Sequence, residues 1–127
     1  MTDMMRLLLA REGKKCVALS LDDFYLTGAD QDALAASHEG NALLKLRGNA
    51  GSHDMAIMNE IMGSFAAGSR NVLVPRYDKS LRSGRGDRAP VQEWELVEDV
   101  DVVIFEVSLP PSRLWFPVPF TPTLHPV

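Results

Sequence analysis

Two carboxylates and a tyrosine lie directly after an apolar run and are the residues best suited to chemistry. Asp22, Asp23 and Tyr25 follow the run Cys-Val-Ala-Leu-Ser-Leu at positions 16–21. A carboxylate at the end of a buried strand can accept a proton from a hydroxyl group, as the base in phosphoryl transfer does. Adjacent side chains of an extended chain point to opposite sides, so the two aspartates are not expected to share a proton. The alternative is that both simply begin a loop, because aspartate favours turns.

Two further apolar runs also end in polar residues. The run at 72–74 continues into Pro-Arg-Tyr-Asp, which contains Tyr77, and the run at 102–105 ends at Glu106. A carboxylate in the position of Glu106 suits a Mg²⁺ ion, although a carboxylate near the start of a helix is the alternative. Open α/β folds bind ligands at the carboxyl ends of their strands. The pattern therefore predicts a ligand site along one edge of a sheet.

The segment 76–88 concentrates positive charge in a chain whose net charge is −4. Five basic side chains stand against two acidic ones, a local excess of three. Such a surplus favours an anionic ligand, either a carboxylate or a phosphate. The alternative is a solvated loop. The basic residues of the segment are Arg76, Lys79, Arg82, Arg85 and Arg88.

The elements that must position these residues alternate between helix and strand. Apolar residues at spacings of three and four predict a helix over 54–67, capped by Ser52, whose methionine-rich stripe faces the core. A shorter helix is expected over 30–37, with Asp30 as its N-cap. The strand–helix–strand order predicts an α/β fold with a right-handed crossover and a parallel sheet. Asp22, Tyr77 and Glu106 should then meet on one rim, with their three strands side by side and pointing the same way.

Composition narrows the class of protein. The 127 residues fit one domain, and the single cysteine excludes an internal disulfide and a cysteine-based metal cluster. The acidic balance argues against nucleic-acid binding, and no stretch approaches the roughly 20 apolar residues of a membrane span. We expect a cytoplasmic protein, or a plastid one if a transit peptide precedes Met1. Residues 1–108 form the predicted domain, and 109–127 a proline-rich irregular tail, with a docking peptide as the alternative.

Five motifs, in order along the chain, closely resemble those of the D-glycerate 3-kinase family. This family is part of the P-loop kinase group related to uridine kinase and phosphoribulokinase. The resemblance implies a parallel sheet flanked by helices and transfer of phosphate from ATP, with Mg²⁺, to D-glycerate, giving 3-phosphoglycerate. It implies a small hydroxy acid and ATP as partners, and neither nucleic acid nor membrane. The motifs are SLDDFYLT (20–27), GNALL (40–44), RGNAGSHD (47–54), PRYDKS (75–80) and SGRGDR (83–88).

The same resemblance implies roles for individual residues. Asp22 matches the carboxylate that activates the acceptor hydroxyl. Tyr25, Asp54 and Tyr77 match substrate-site positions. Glu106 matches the acidic residue at the Mg-ATP edge.

From charge alone, Arg85 and Arg88 are added as partners of the glycerate carboxylate. A guanidinium group and a carboxylate form two parallel hydrogen bonds, which is why arginine suits this role.

The sequence also departs from the family. The phosphate-binding pattern Gly-x-x-x-x-Gly-Lys-Ser/Thr is absent from it, and Gly13-Lys14-Lys15 lacks both the earlier glycine and the hydroxyl. Val107 follows Glu106 where the family has glycine. We interpret the chain as shortened at both ends, without the first strand and phosphate loop, and therefore with an incomplete ATP site. By itself it is predicted to be a poor or inactive kinase and marginally folded.

Two alternatives remain open at this stage. One is a kinase of the same group that acts on another hydroxyl substrate, such as a nucleoside or a pantothenate-like acid. The other is a non-catalytic remnant or interaction module that uses its proline-rich tail.

Overall fold

The computed structural model describes residues 2–107, which form an α/β arrangement as predicted. The helices of this part are α1 (Thr2–Arg11), α2 (Gly28–Ser37) and α3 (Met55–Ala66). Its strands are β1 (Cys16–Ser20), β2 (Asn71–Val74), β3 (Tyr77–Asp78), β4 (Asp87–Arg88), β5 (Glu95–Glu98) and β6 (Val102–Glu106). Short 3₁₀ turns cover Leu21–Phe24, Ala42–Lys45 and Val91–Glu93. The predicted irregular tail at 109–127 lies outside the described residues.

Strands β1 and β6 form the parallel sheet, although they are far apart in sequence. Cys16 lies opposite Val102 and Ser20 opposite Glu106, so both strands end at the same edge. This register brings the segment that begins with Asp22 and the end of β6 to one rim, as predicted. The pairing of these two strands is the part of the predicted sheet that the structure confirms.

The prediction of three parallel strands side by side is wrong for β2. Strand β2 pairs antiparallel with β5, with Val72 opposite Val97. No strand was predicted over the segment that forms β5. Val72 and Val74 are buried while Leu73 between them is exposed, so β2 is covered on one face only. One covered face is typical of antiparallel pairing, whereas parallel strands are usually covered on both.

Helix α3 covers β2 with most of its predicted apolar stripe. Ile61 is buried, and Met58, Met62 and Phe65 pack against the core. Met55, the first methionine of the predicted stripe, has 52% of its surface exposed, so the prediction that the stripe faces the core is wrong at this residue. The buried core comprises Val17, Leu19, Phe24, Ile61, Val72, Val74 and Val97.

The helix caps differ from those expected. Asp54, not Ser52, caps α3, because its Oδ1 atom accepts a hydrogen bond from the backbone N–H of Ile57 at 3.2 Å. Ser52 is fully buried in the preceding loop. Thr27, not Asp30, caps α2 and accepts from the Asp30 N–H at 3.2 Å. Between residues 2 and 107, no helix combines the length and apolar character that crossing a bilayer requires.

Candidate active site

Asp22 is held by a turn that replaces the expected extended end of the first strand. Strand β1 ends at Ser20, whose side chain accepts a hydrogen bond from the Asp22 N–H at 3.2 Å. The turn presents both carboxylate oxygens of Asp22 to donors. The Tyr25 hydroxyl donates to Oδ1 at 2.8 Å, and Lys79 Nζ lies 2.6 Å from Oδ2. The carboxylate therefore has a fixed orientation and a cation beside it.

Asp23 serves a different part of the molecule. Its Oδ1 atom accepts from the Tyr77 N–H at 3.4 Å, and its Oδ2 atom lies 3.4 Å from Arg76. Arg76 also pairs with Glu95, at the start of β5. The two adjacent aspartates thus contact separate partners, as predicted, and Asp23 ties the chain after β2 to the turn that carries Asp22.

The contacts of Asp22 shift its own pKa and that of Tyr25. Burial raises the pKa of Asp22, but the hydrogen bonds from Lys79 and Tyr25 outweigh it, so the pKa lies below its ordinary value. Burial and the hydrogen bond to Asp22 raise the pKa of Tyr25 to about 12. At neutral pH Asp22 is therefore an ionised acceptor, and the Tyr25 hydroxyl keeps its proton.

Aromatic rings enclose Tyr25 on two sides. The ring of Tyr77 meets it edge-on at 5.1 Å between centroids, and His53 stacks on it at 4.8 Å. Burial lowers the pKa of His53, although the charge of Asp22 opposes this effect. The buried Nε2 atom of His53 has no hydrogen-bond partner among the described residues. Gly86 packs so closely on Tyr77 that an added Cβ would lie 2.6 Å from its ring.

Asp54 and Arg88 form an ion pair that supports the backbone of Tyr25. Asp54 caps α3 with one oxygen and binds Arg88 Nη2 with the other at 2.9 Å. Arg88 Nη2 also donates to the Tyr25 carbonyl at 3.0 Å. Burial raises the pKa of Asp54, but the hydrogen bond from Arg88 and those from the helix backbone bring it below the ordinary value. The pair connects α3, β4 and the turn that carries Tyr25.

Each of the five basic side chains in the segment 76–88 forms an ion pair with a carboxylate outside that segment. Arg82 and Arg85 both pair with Asp32 of α2. These two arginines line a cavity of about 470 Å³ next to Tyr77. The predicted surplus therefore divides into three groups: Arg76 and Lys79 hold the two aspartates after β1, Arg88 holds Asp54, and Arg82 and Arg85 face the cavity.

Glu106 lies at the same sheet edge, opposite Ser20, but within residues 2–107 its side chain shares no hydrogen bond or ion pair with the other candidates. Its side chain is exposed, and its Oε1 atom lies 3.4 Å from the Thr2 hydroxyl, which donates to it. Residues 2–107 contain no group of three or more His, Cys, Asp or Glu side chains that could hold a metal. Mg²⁺ usually binds through one or two carboxylates, with water and substrate phosphates as its other ligands. A single exposed carboxylate at a strand end fits that mode.

Sequence reasoning missed the immediate partners of the candidate residues. Lys79 was counted only as part of a charged segment, and His53 was not proposed for the site. Lys45 and Arg47 line the cavity with Arg82; the first two were not proposed for the site, and Arg82 was counted only within the charged segment. All of these residues lie inside or next to the five motifs, which was a signal available from the sequence. Their contacts could not be predicted, because the partners lie far apart along the chain.

Comparisons with known proteins agree on one group of enzymes. No model of a known protein family matches this sequence. The chain is 46% identical over 97 residues to the chloroplastic D-glycerate 3-kinase of Arabidopsis thaliana, an alignment that covers 73% of this chain and 21% of that enzyme. It is 42% identical to the uncharacterized kinase mug58 of Schizosaccharomyces pombe, over 77% of this chain and 36% of that kinase.

Solved structures extend the likeness to the fold. D-glycerate 3-kinase from Cryptococcus neoformans superimposes with a TM-score of 0.75 at 39% identity, covering 84% of this chain and 37% of that protein. The YGR205w protein superimposes with a TM-score of 0.72 at 34% identity, covering 84% of this chain and 38% of that protein. The chain thus spans between about a fifth and two fifths of the relatives it matches. Over most of its own length, this chain resembles D-glycerate 3-kinase and related kinases in both sequence and fold.

Proposed function

We propose that this chain carries the acceptor half of a kinase that transfers phosphate from ATP to D-glycerate, giving 3-phosphoglycerate. The single observation that carries the proposal is the Asp22 carboxylate, ionised and oriented by Tyr25 and Lys79 at the carboxyl edge of a parallel sheet. The likeness to D-glycerate 3-kinases supports the choice of acceptor.

In the proposed reaction, Asp22 acts as the base for the acceptor hydroxyl. As the hydroxyl oxygen of D-glycerate bonds to the transferring phosphorus, its proton passes to an Asp22 oxygen and the bond to ADP breaks. Because phosphoryl transfer has a loose transition state, the base mainly positions the hydroxyl and takes its proton late. Asp22 is ionised at neutral pH, and its lowered pKa makes it a weak base, which suits a transition state in which the proton is transferred late.

The other candidates take positioning roles in this proposal. Tyr77 lines the cavity and packs against Tyr25, which donates to Asp22, so the two tyrosines connect the base to the cavity, where Arg85 is assigned to the glycerate carboxylate. Asp54 and Arg88, predicted as substrate contacts, bind each other, and Arg88 also donates to the Tyr25 carbonyl. We therefore assign them to the support of Tyr25 at the acceptor site.

Two further groups belong to the proposal. Glu106 would hold Mg²⁺, which neutralises charge on the transferring phosphoryl group when bound. The pattern Gly-x-x-x-x-Gly-Lys-Ser/Thr does not occur in the sequence, so no contact with the ATP phosphates is assigned to these residues. A kinase named as probably ATP-dependent, TDA10 of Saccharomyces cerevisiae, is 37% identical to this chain over 74% of this chain's length, which supports ATP as donor.

A cytoplasmic or plastid location is also part of the proposal. The chloroplastic relative supports the plastid location.

The test is a chimera with a complete enzyme. The matching 97 residues of the Arabidopsis D-glycerate 3-kinase are replaced by those of this chain, and phosphorylation of D-glycerate is measured. We expect an active chimera whose kcat falls by about 10²–10⁴-fold when Asp22 is changed to Asn, the usual cost of losing a general base. The 127-residue chain alone is expected to show no turnover with Mg-ATP.

Asp23 provides the matched control. Asp23→Asn removes the same charge one residue away, and it should lower stability without a comparable loss of kcat. A chimera with Asp22→Asn that keeps full activity would exclude Asp22 as the base. A chimera that phosphorylates a nucleoside or pantothenate but not D-glycerate would favour a kinase of the same group with another hydroxyl substrate.

A further inference from the structure

Four cations surround the cavity beside Tyr77, and two of them share a carboxylate from the protein itself. Arg82 Nη2 pairs with one oxygen of Asp32, and Arg85 Nη2 pairs with the other. We propose that this cavity is a binding site for the carboxylate of a small organic acid, and that Asp32 occupies the two arginines until such a ligand replaces it. The proposal rests on the proposed function for its preferred acid, D-glycerate. Lys45 and Arg47 complete the cationic lining.

The charges of the site favour an anion even with Asp32 in place. Against the four cations stand Asp32 and Asp87, and Asp87 accepts a hydrogen bond from the Gly28 N–H at 2.8 Å. Four positive and two negative charges leave a surplus of two. Within residues 2–107, Lys45 takes part in no ion pair. A cationic cavity in a chain of net charge −4 concentrates anions locally.

The pairs with Asp32 are suited to exchange. Asp32 and Arg85 are each more than two fifths exposed, so water screens their attraction. A ligand carboxylate can offer the same two oxygens to the same two guanidinium groups. Because the net gain from an exposed pair is small, replacing one carboxylate by another costs little.

The loop that carries the two arginines is built at a conformational cost. Arg82 and Ser83 both have positive φ angles, 52° and 58°, which residues with a side chain rarely adopt. Arg47 donates to the carbonyls of Gly84 and Arg85, which fixes the loop over the cavity. Strained backbone that its surroundings hold in place is concentrated at binding sites.

The start of α2 leaves room for the Arg82 guanidinium. A Cβ on Gly28 would overlap Arg82 Nη1, so the absence of a side chain lets Arg82 lie against the first turn of the helix. This position brings Arg82 within reach of Asp32 on the next turn. The cavity wall is therefore shaped around the arginine that the ligand would contact.

The experiment measures binding to the 127-residue chain without ATP. Amide NMR spectra are recorded during titration with D-glycerate, with glycerol as the neutral control and inorganic phosphate as a second anion. We expect D-glycerate to shift the amides of 45–47 and 82–86, and glycerol to leave them unchanged. Asp32→Asn should tighten D-glycerate binding about three- to tenfold, since two exposed ion pairs no longer compete. Arg82→Gln and Arg85→Gln should each weaken it severalfold.

Asp99→Asn is the matched control. It removes the same charge from another exposed aspartate–arginine pair, and it should leave the affinity unchanged. The dispersion of the same spectra reports whether each variant is folded.

Three results would overturn the proposal. Asp32→Asn could bind D-glycerate no more tightly than the unaltered chain, the shifts could map away from the cavity, or phosphate could bind more than tenfold tighter than D-glycerate. None of these outcomes depends on catalysis. An inactive chimera with normal binding would reject the proposed function alone.

Discussion

Two aspartate–arginine clusters lie near the tyrosine pair, one bound to the Tyr25 backbone and one at the cavity lined by Tyr77, and they differ mainly in their exposure to water. In the pair of Arg88 and Asp54 the side chains are 14% and 21% exposed, and each makes a second hydrogen bond to backbone. In the pair of Arg85 and Asp32 they are 48% and 42% exposed. The same two residue types can therefore brace a site or provide an exchangeable contact. Burial and additional backbone partners distinguish the two cases.

The largest expected effect comes from breaking the inner cluster. Arg88→Met should lower the free energy of unfolding by about 2–3 kcal/mol, because it leaves the partly buried Asp54 carboxylate and the Tyr25 carbonyl without their donor. Arg85→Met, in the outer cluster, should cost less than about 1 kcal/mol. Urea unfolding of both variants measures the difference. Equal losses would show that burial does not separate the two clusters.

A smaller effect is expected from the contact between Tyr25 and Asp22. Tyr25→Phe removes a 2.8 Å hydrogen bond to an ionised carboxylate and should lower the free energy of unfolding by about 1 kcal/mol. In an Asp22→Ala background the same change should cost less than half as much, because the acceptor is already gone. A double-mutant cycle in urea measures this coupling. Additive losses would show that the hydrogen bond contributes nothing.

The smallest effect should be a pH dependence that comes from His53. Its pKa is lowered in the folded state by burial, so below about pH 6.5 the unfolded chain takes up a proton that the folded chain accepts only at lower pH. Stability should therefore fall as the pH falls through this range, and His53 should contribute nothing above it. Below about pH 4, protonation of Asp22 and Asp54 adds a separate loss, because their pKa values are also lowered.

His53→Gln should flatten the decrease between pH 7 and pH 5, as followed by thermal unfolding. His38→Gln, which changes an exposed histidine, should leave the decrease as it was. An unchanged pH profile in the His53 variant would show that another group is responsible.

Local patterns predicted some features of the fold well and others poorly. The apolar runs of β1 and β6 and the stripe of α3 are periodic or continuous, so their type and approximate position could be read directly. Strand β5 was missed because it lies in a polar segment and becomes a strand only by pairing with β2. The N-cap of α3 was misplaced by two residues, since Ser52 and Asp54 are both good caps and only burial of Ser52 decides between them.

In the candidate site, too, some residues were predicted from local sequence, whereas their distant partners were not. Asp22, Tyr25 and Tyr77 were selected from their positions after apolar runs, and the structure brings these three together. The grouping of Arg88 with Asp54, and of Arg85 with Asp32, could not be foreseen, because these pairs join residues more than 30 positions apart.

By itself, the sequence determined the α/β class, the order of the main elements and the carboxylates that lie at or just after the ends of two strands, because hydrophobic periodicity and local turn chemistry are encoded over a few residues. Only the tertiary structure decided which cation meets which carboxylate and which pairs are shielded from water. Those outcomes depend on how distant segments pack, and packing sets both the distance between charges and the solvent around them.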